Sequence, residues 1–303
     1  MATAFDDRLS LPLIAAPMTG VSGVDLVVAA CRNGVIGSFP THNAGTLDNL
    51  DRWLGEITDG LAGHGRVAPV APNLVVHPSN TRLAEDLACL VRHGTELVIT
   101  SVGSPAAVVG PLHEAGCLVY ADVATQRQAE KAVAAGVDGL VLLSAGAGGQ
   151  TGQANPFAFV RIVRDMFDGS IVLAGGISDG VALYAAKVLG ADLAYMGTPF
   201  IATQESLAAA DYRNALVAST MDDVRLSDAV GGLPASLLGS WLDGRDQTPV
   251  ESGDFRQDRL VADQVVWSAG HGVTAVVDVP SIDTLVARVK DQYLRTRADF
   301  MLG

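Results

Sequence analysis

Residues 169–198 read GSIVLAGGISDGVALYAAKVLGADLAYMGT and contain one complete strand-helix-strand unit. Its two apolar runs, Ile171–Ala174 and Leu193–Met196, are typical of strands that are buried on both faces. Between the runs, four residues recur at the spacing of one helix face, which predicts a helix that packs this face on the sheet: Val181, Tyr184, Ala185 and Val188. Gly190 follows, and glycine ends a helix at little steric cost. The stretch therefore predicts parallel strands joined by helices.

The same alternation extends over roughly the first 210 residues. Eight apolar runs predict strands: Pro12–Ala16, Val35–Ser38, Val67–Leu74, Leu97–Thr100, Leu118–Asp122, Gly139–Leu143, Ile171–Ala174 and Leu193–Met196. Two more stripes predict sheet-facing helices: Val24, Val27, Val28 and Cys31, then Ala129, Ala132, Val133 and Gly136. Helices are predicted to end at Gly34, Gly94, Gly116, Gly136, Gly169 and Gly190, with Gly60 or Gly65 in the second unit. Eight such units favour an α/β fold of the TIM (β/α)8 barrel type over an open sheet.

The alternation stops at Asp211. We therefore expect a barrel over residues 1–210 and a mostly helical and loop region, residues 211–303, packed against it. Helices are predicted over Asp211–Arg225 and Ser281–Arg295. The stretch Gly239–Asp258 is rich in Gly, Asp and Gln, which predicts a loop or a lid.

Composition limits the classes of partner. The chain has 303 residues, 49% of them hydrophobic, and a net charge of −13. Because nucleic acids and anionic membranes bind clustered Lys and Arg, this charge argues against both as main partners. Cys31, Cys89 and Cys117 are too widely spaced for a metal-ligand set and too few for a disulfide framework, so we expect buried thiols and no metal. No leader-like or spanning apolar segment is present, which predicts a cytoplasmic protein.

Two loops predict an anion site. Gly175 and Gly176 follow the seventh predicted strand, and Gly197 and Thr198 follow the eighth. In TIM barrels phosphate is often bound by these two loops, and glycine lets backbone N–H groups approach an anion closely. A tight turn that binds nothing is the alternative interpretation of either loop alone. Together they favour a phosphorylated ligand or cofactor.

The loop after the sixth predicted strand, Ser144–Gln153, contains four glycines. They would let the backbone, including Gly149, lie against a flat or charged ligand, while Gln150 can donate and accept hydrogen bonds. A flexible linker is the alternative interpretation.

Earlier loops carry four further candidates. Pro17 and Met18 follow the first strand and could lie beside an aromatic ring system. Asn73 could bind the edge of a polar heterocycle, and His77 could transfer protons or orient a substrate. A lone histidine is more often structural, and the same holds for His42 after the second strand.

The chain resembles the FMN-dependent nitronate monooxygenase family over nearly its whole length. The motifs that carry the resemblance are LPLIAAPM (11–18), APNLVVHPSN (71–80), AGAGGQTG (145–152), LAGGISDG (173–180) and LGADLAYMGTPFIAT (189–203). Weaker similarity continues through GGLPASLLGSWL (231–242) and WSAGHGV (267–273). Any one glycine loop would be a weak signal, and the set in this order is fairly specific.

The resemblance implies an FMN cofactor and assigns roles to the candidate residues. By position, the flavin ring region would contact Pro17, Met18 and Asn73. Gly149 would lie at the ribityl or phosphate side. The phosphate would be bound by Gly175, Gly176, Gly197 and Thr198. The C-terminal region would close over the flavin as a substrate cover, and the reaction would be oxidation of alkyl nitronates, such as propionate 3-nitronate, with O2.

Gln150 departs from the family pattern, because many relatives have histidine there as a catalytic base or substrate-orienting group. Glutamine cannot take up a proton near neutral pH. A nitronate is already anionic and needs no base, so Gln150 could still hydrogen-bond its oxygens, whereas deprotonation of neutral nitroalkanes should be poor.

Three other functions remain open at this point. The same scaffold could serve an NAD(P)H-dependent FMN reductase of a quinone, an enone or an acyl-CoA, so the redox partner could be O2 or NAD(P)H. Nucleotide-handling dehydrogenases would need a cysteine after the sixth strand, and none follows Cys117. A flavin-binding protein without turnover is supported only by Gln150. The oligomeric state is not predicted.

Overall fold

The computed structural model describes residues 4–228, 230–244, 255–262 and 266–301. Its strands, in chain order, are β1 (Leu13–Ala15), β2 (Ile36–Pro40), β3 (Val70–Val75), β4 (Leu97–Ser101), β5 (Leu118–Val123), β6 (Gly139–Leu143), β7 (Gly149–Gln150), β8 (Ser170–Ala174), β9 (Leu193–Met196), β10 (Val224–Ser227) and β11 (Ala235–Leu238). All except β7, β10 and β11 form a closed parallel barrel. Closure occurs at β1, where Ile14 pairs with Ile36 on one side and with Tyr195 on the other. The predicted TIM barrel is confirmed, and each predicted strand overlaps a barrel strand.

Helices surround the barrel and continue into the C-terminal region. They are α1 (Val24–Arg32), α2 (Leu47–Leu61), α3 (Leu83–Arg92), α4 (Ala106–Glu114), α5 (Gln126–Ala134), α6 (Pro156–Met166), α7 (Gly180–Leu189), α8 (Thr198–Ile201), α9 (Ala210–Ala218), α10 (Gly239–Asp243), α11 (Gln257–Ala262) and α12 (Ile282–Met301). Short 3-10 helices cover Asp6–Arg8, Thr41–Ala44, Met221–Asp223 and His271–Ala275. None of these described helices combines the length and apolar character that crossing a lipid bilayer requires.

Glycine ends most of the barrel helices as predicted, and two assignments were wrong. Gly34, Gly94, Gly116, Gly136 and Gly190 have positive φ. In the second unit the left-handed residue is Gly63, because Gly60 lies inside α2 and Gly65 has no positive φ. Gly169 also lacks a positive φ. Glycine is needed there for space instead, because a Cβ would lie 2.6 Å from the Asp138 carbonyl oxygen.

The apolar core of the described residues has three parts: one inside the barrel, one between strands and helices, and a small one in the C-terminal region. Side chains inside the barrel include Ile14, Leu97, Ile99 and Val172. The three cysteines are free and buried in the outer part, as predicted. Successive residues of a strand point to opposite faces. Because both faces of each barrel strand are covered by core residues, the side chains on both faces are apolar and the strands read as continuous apolar runs.

The predicted stripe of α7 was wrong. Leu183 and Ala186 are buried towards the barrel, whereas Val181 and Val188 are 51% and 70% exposed. Tyr184 packs its ring on that of Tyr293 in α12, with centroids 5.8 Å apart. The helix has apolar residues on more than one face, so periodicity alone could not select the face that meets the sheet.

The C-terminal region is less helical than predicted. Helix α9 ends at Ala218, and the rest of the expected helix Asp211–Arg225 forms a 3-10 turn and the start of β10. Helix α12 extends beyond the predicted end at Arg295. Of the expected loop Gly239–Asp258, residues 239–243 form α10 and 245–254 lie outside the described residues.

A small antiparallel sheet, in the order β10-β11-β7, was not predicted. In it Ala235 and Ser236 of the C-terminal region pair with Gln150 and Gly149 of the barrel loop after β6. This pairing ties the C-terminal region to the barrel at the end of the cylinder where the strands terminate.

Candidate active site

A cavity of about 230 Å³ lies at the carboxyl ends of the barrel strands. The loops after β1, β6, β8 and β9 form its walls. Six apolar side chains of the C-terminal region, here called the roof, cover it: Val230, Leu233, Leu237, Phe255, Leu260 and Val266. Four inward-facing strand residues, here called the floor, lie at its base: Asn73, Ser101, Asp122 and Tyr195. This is the position at which TIM barrels place their active sites.

Two glycine turns bring unpaired backbone donors to the cavity. Gly175 and Gly176 have φ of 124° and 71°, values that favour glycine. A Cβ on Gly175 would lie 2.4 Å from Ser144 Oγ, whereas one on Gly176 would meet nothing within 4 Å. Within the described part of the chain, the N–H groups of Gly176, Ile177 and Gly197 donate to no backbone carbonyl. Both turns line one cavity, so together they can bind an anion.

Thr198 connects the second turn to the C-terminal region. Its Oγ1 accepts a hydrogen bond from the Gly270 N–H at 3.0 Å. The hydroxyl keeps its own proton as a donor, because this bond uses only an oxygen lone pair. Thr198 therefore holds Gly270 of the C-terminal region and keeps a hydroxyl donor beside the glycine turns.

The glycine-rich loop after β6 is held at both ends, which argues against a flexible linker. Thr151 Oγ1 donates to the Ser144 carbonyl at 3.0 Å, and Gly149 and Gln150 pair with β11. Gly148 is needed for packing, since a Cβ there would lie 2.7 Å from the Gly270 nitrogen. Half-buried Gln150 is thus fixed beside the cavity by sheet pairing.

Met18 also lines the cavity and is held by two backbone hydrogen bonds. The Asn43 side-chain amide donates to the Met18 carbonyl at 2.9 Å, and the Met18 N–H donates to Ser22 Oγ at 3.1 Å. A Cβ on Gly197 would lie 3.6 Å from Met18 Sδ, so the thioether packs beside the second glycine turn. Pro17 and Met18 thereby give the cavity a rigid, largely apolar wall.

The floor is a polar cluster with unsatisfied groups. Ser101 Oγ donates to Asn73 Oδ1 at 2.9 Å, and Asn73 Nδ2 lies 3.4 Å from Asp122 Oδ2. Asp122 Oδ1 and the Tyr195 hydroxyl are buried and have no partner among the described residues. Burial raises the pKa of Asp122 to about 7 against the opposing effect of the Asn73 hydrogen bond. Burial, followed by the charge of Asp122, raises the pKa of Tyr195.

All the residues predicted for the site line this cavity except His77. His77 Nδ1 lies 2.8 Å from Ser79 Oγ, and its ring edge packs on Phe255 of the roof with centroids 5.2 Å apart. His77 therefore contacts Phe255 of the roof without itself lining the cavity.

His42 does line the cavity and is buried. Its Nε2 lies 3.0 Å from Thr19 Oγ1, and Nδ1 has no partner among the described residues. Burial, with a smaller effect of the Arg82 charge, lowers the pKa of His42 to about 4. The ring is therefore neutral at neutral pH.

Sequence reasoning missed Ser101, Asp122 and Tyr195. The signal present was an acidic residue at the end of the apolar run LVYAD (118–122), since a buried carboxyl is costly and is usually retained for a reason.

The sequence model of nitronate monooxygenases matches residues 71–290. The chain belongs to the nitronate monooxygenase family. Members of this family are flavin-dependent oxidoreductases, and this chain is an enzyme of that class.

Individual relatives in the nitronate monooxygenase family and beyond are distant. A nitronate monooxygenase from Paraburkholderia phytofirmans is 28% identical over 271 residues, which cover 76% of this chain and 74% of the relative. A (3aS,4S,5R,7aS)-5-hydroxy-7a-methyl-1-oxo-octahydro-1H-indene-4-carboxyl-CoA dehydrogenase from Rhodococcus jostii is 26% identical over 233 residues, which cover 76% of this chain and 63% of the relative. The structure of a nitroalkane oxidase from Streptomyces ansochromogenes has a TM-score of 0.85 at 23% identity and covers 97% of this chain and 99% of its own. That likeness confirms the fold.

Proposed function

We propose that the cavity binds FMN and that the enzyme oxidises alkyl nitronates with O2. The observation that carries this proposal is the pair of glycine turns: they line a cavity that also has an apolar wall and a polar floor, and their N–H groups at 176, 177 and 197 donate to no backbone carbonyl of the described residues. These features suit a molecule with a phosphate at one end and a flat heterocycle at the other. Bound FMN would supply the ability to accept electrons from a substrate and pass them to O2.

Each predicted residue except His77 has a place in this proposal. Gly175, Gly176, Gly197 and Thr198 would bind the phosphate through N–H and hydroxyl donors. Pro17 and Met18 would pack on the ring, and Asn73 would hydrogen-bond its edge. Gly149 would lie at the ribityl side. His77 is outside the lining and is assigned no contact.

Gln150 would orient the substrate. Its side-chain amide can donate to a nitronate oxygen, and its backbone pairing with β11 fixes its position. Because it cannot accept a proton, the preferred substrate is the preformed nitronate anion. The roof would exclude water from the reacting atoms, and we propose that residues 211–303 act as the substrate cover.

A second candidate is an NAD(P)H-dependent reductase or dehydrogenase acting on an enone, a quinone or an acyl-CoA. It is supported by the acyl-CoA dehydrogenase from Rhodococcus jostii, whose identity to this chain is nearly that of the nitronate monooxygenase. The six apolar side chains of the roof also suit a large hydrophobic acyl group.

Anaerobic reduction separates the two functions. Purified protein should show the visible absorption bands of a flavin, and extracted cofactor should co-migrate with FMN. Propionate 3-nitronate should bleach these bands without air and support O2 uptake with air, whereas NADH and NADPH should do neither. Fast bleaching by NAD(P)H with none by nitronates would support the second candidate. Protein that is colourless and takes up no FMN would contradict both.

A further inference from the structure

We propose that Asp122 contacts the bound flavin ring from the floor of the cavity and that flavin binds to the form in which Asp122 is protonated and neutral. The inference rests on the proposed binding of FMN and assigns a role to a residue that the motifs did not mark.

Asp122 is positioned where a bound ring would reach it. It lies near the end of β5, points into the barrel, and is part of the floor that faces the roof across the cavity. A flat ring that enters the space between floor and roof with its polar edge next to Asp122 covers this carboxyl. Asp122 Oδ1 is buried and has no partner among the described residues, while the residue as a whole is partly exposed and lines that space.

The neighbours of Asp122 provide no compensating positive charge. Asn73 from β3 and Ser101 from β4 are neutral, and the hydroxyls of Tyr120 and Tyr195 have raised pKa values because both are buried. His42 lines the cavity in its neutral form. No Lys or Arg of the described residues lines the cavity. An ionised Asp122 covered by a ring would therefore be a buried charge without a counter-ion, which is strongly unfavourable.

The protonated carboxyl has no such penalty. As a neutral group it offers one O–H donor and an acceptor, which suits a heterocycle edge that carries both carbonyl oxygens and an N–H. Burial holds the pKa of Asp122 near 7 before any ligand covers it, and covering it removes more water. Flavin binding should then be accompanied by proton uptake on the alkaline side of neutrality.

The size of the effect follows from linkage. If only the protonated form binds, the apparent Kd rises about tenfold for each pH unit above about 7. Proton uptake on binding should be about one half near pH 7 and about 0.9 near pH 8.

The experiment uses the 303-residue chain after removal of its cofactor. Kd values for FMN and for riboflavin are measured by fluorescence quenching between pH 6 and 9, and proton uptake by calorimetry in two buffers of different ionisation enthalpy. Riboflavin lacks the phosphate, so its pH dependence reports the ring alone. Wild-type protein should show the rise in Kd with both ligands, Asp122→Asn should show none, and the control Tyr195→Phe should retain it.

Three results overturn the inference. These are a constant wild-type Kd without proton uptake, an Asp122→Asn variant that keeps the pH dependence, and loss of the dependence in Tyr195→Phe. If Asp122→Asn does not fold, wild-type proton uptake with riboflavin decides the question. Failure to bind either flavin at any pH overturns the proposed function instead, so the two failures are distinguishable.

Discussion

Replacement of Gly176 by aspartate tests the anion site directly. Gly176 lies in the turn after β8, and a Cβ there would meet nothing within 4 Å, so a side chain can be accommodated. Its φ of 71° makes any L-residue cost about 1 kcal/mol, and asparagine tolerates this conformation as well as aspartate does. Gly176→Asn is therefore a matched control that differs from Gly176→Asp only in charge.

The expected loss of affinity follows from Coulomb's law. A carboxylate about 5 Å from a phosphate interacts with about 3 kcal/mol per unit of phosphate charge at an effective dielectric constant of about 20. A phosphate carries a charge of about −1.5 to −2 near neutral pH. Because Gly176 is exposed, solvent screening reduces the sum by about half, to about 3 kcal/mol. This predicts an FMN Kd roughly a hundredfold higher for Gly176→Asp than for Gly176→Asn.

Quenching of FMN fluorescence gives both Kd values, and riboflavin provides the internal reference. Since riboflavin has no phosphate, the two variants should bind it equally. Kd values for FMN that agree within threefold between the variants would refute the assignment of this turn to the phosphate. A hundredfold difference with riboflavin as well would show that the aspartate damages the ring site rather than the anion site.

Three further predictions concern single residues. Gln150→His supplies a base beside the cavity, so O2 uptake with neutral nitroalkanes should increase more than with preformed nitronates, and equal increases would contradict the base argument. Burial lowers the pKa of His42 in the folded state to about 4, so between pH 6.5 and 4 the unfolded state binds a proton at this residue and the folded state does not. The fold is therefore destabilised as the pH falls through this range. Urea denaturation should show wild type losing about 3 kcal/mol over that range relative to His42→Gln, and parallel curves would exclude this linkage. Burial raises the pKa of Asp122 to about 7, so the folded state holds this proton more tightly than the unfolded state does. The resulting stabilisation of the fold is complete below about pH 4 and is lost as the pH rises through about 7. Flavin-free Asp122→Asn should accordingly be more stable than wild type at pH 8, on the order of 4 kcal/mol, with the difference vanishing towards pH 4. A variant less stable than wild type at pH 8 would show that the carboxylate has a stabilising partner.

The barrel could be predicted because its strands leave little choice. A run such as Gly139–Leu143 is short, continuously apolar and ends at glycine-rich turns, which is typical of a strand covered on both faces. The C-terminal region could not be predicted in the same way. Strand β7 has only two residues and pairs with Ala235 and Ser236, which are far away in sequence, so no local periodicity marks it.

The glycine turns of the site could be located because parallel strands in a barrel all end at one rim. The residues of the floor could not be located from the sequence, since a continuously apolar run does not reveal which alternate residues point into the barrel. Asp122 of β5 and Tyr195 of β9 therefore could not be distinguished from ordinary strand residues. His77 was placed in the site because it follows β3, but the chain turns there so that its ring packs behind Phe255.

The pairing of β7 with β11 has a consequence for exchanging parts between relatives. Gln150 is positioned by hydrogen bonds to a segment that comes some 85 residues later, so the loop and that segment have to be complementary. A chimera that receives only the loop from another protein would face a foreign partner strand, and its register could slip by one residue and turn the side chain at position 150 to the opposite face. Transfer of substrate preference therefore requires both segments as one unit.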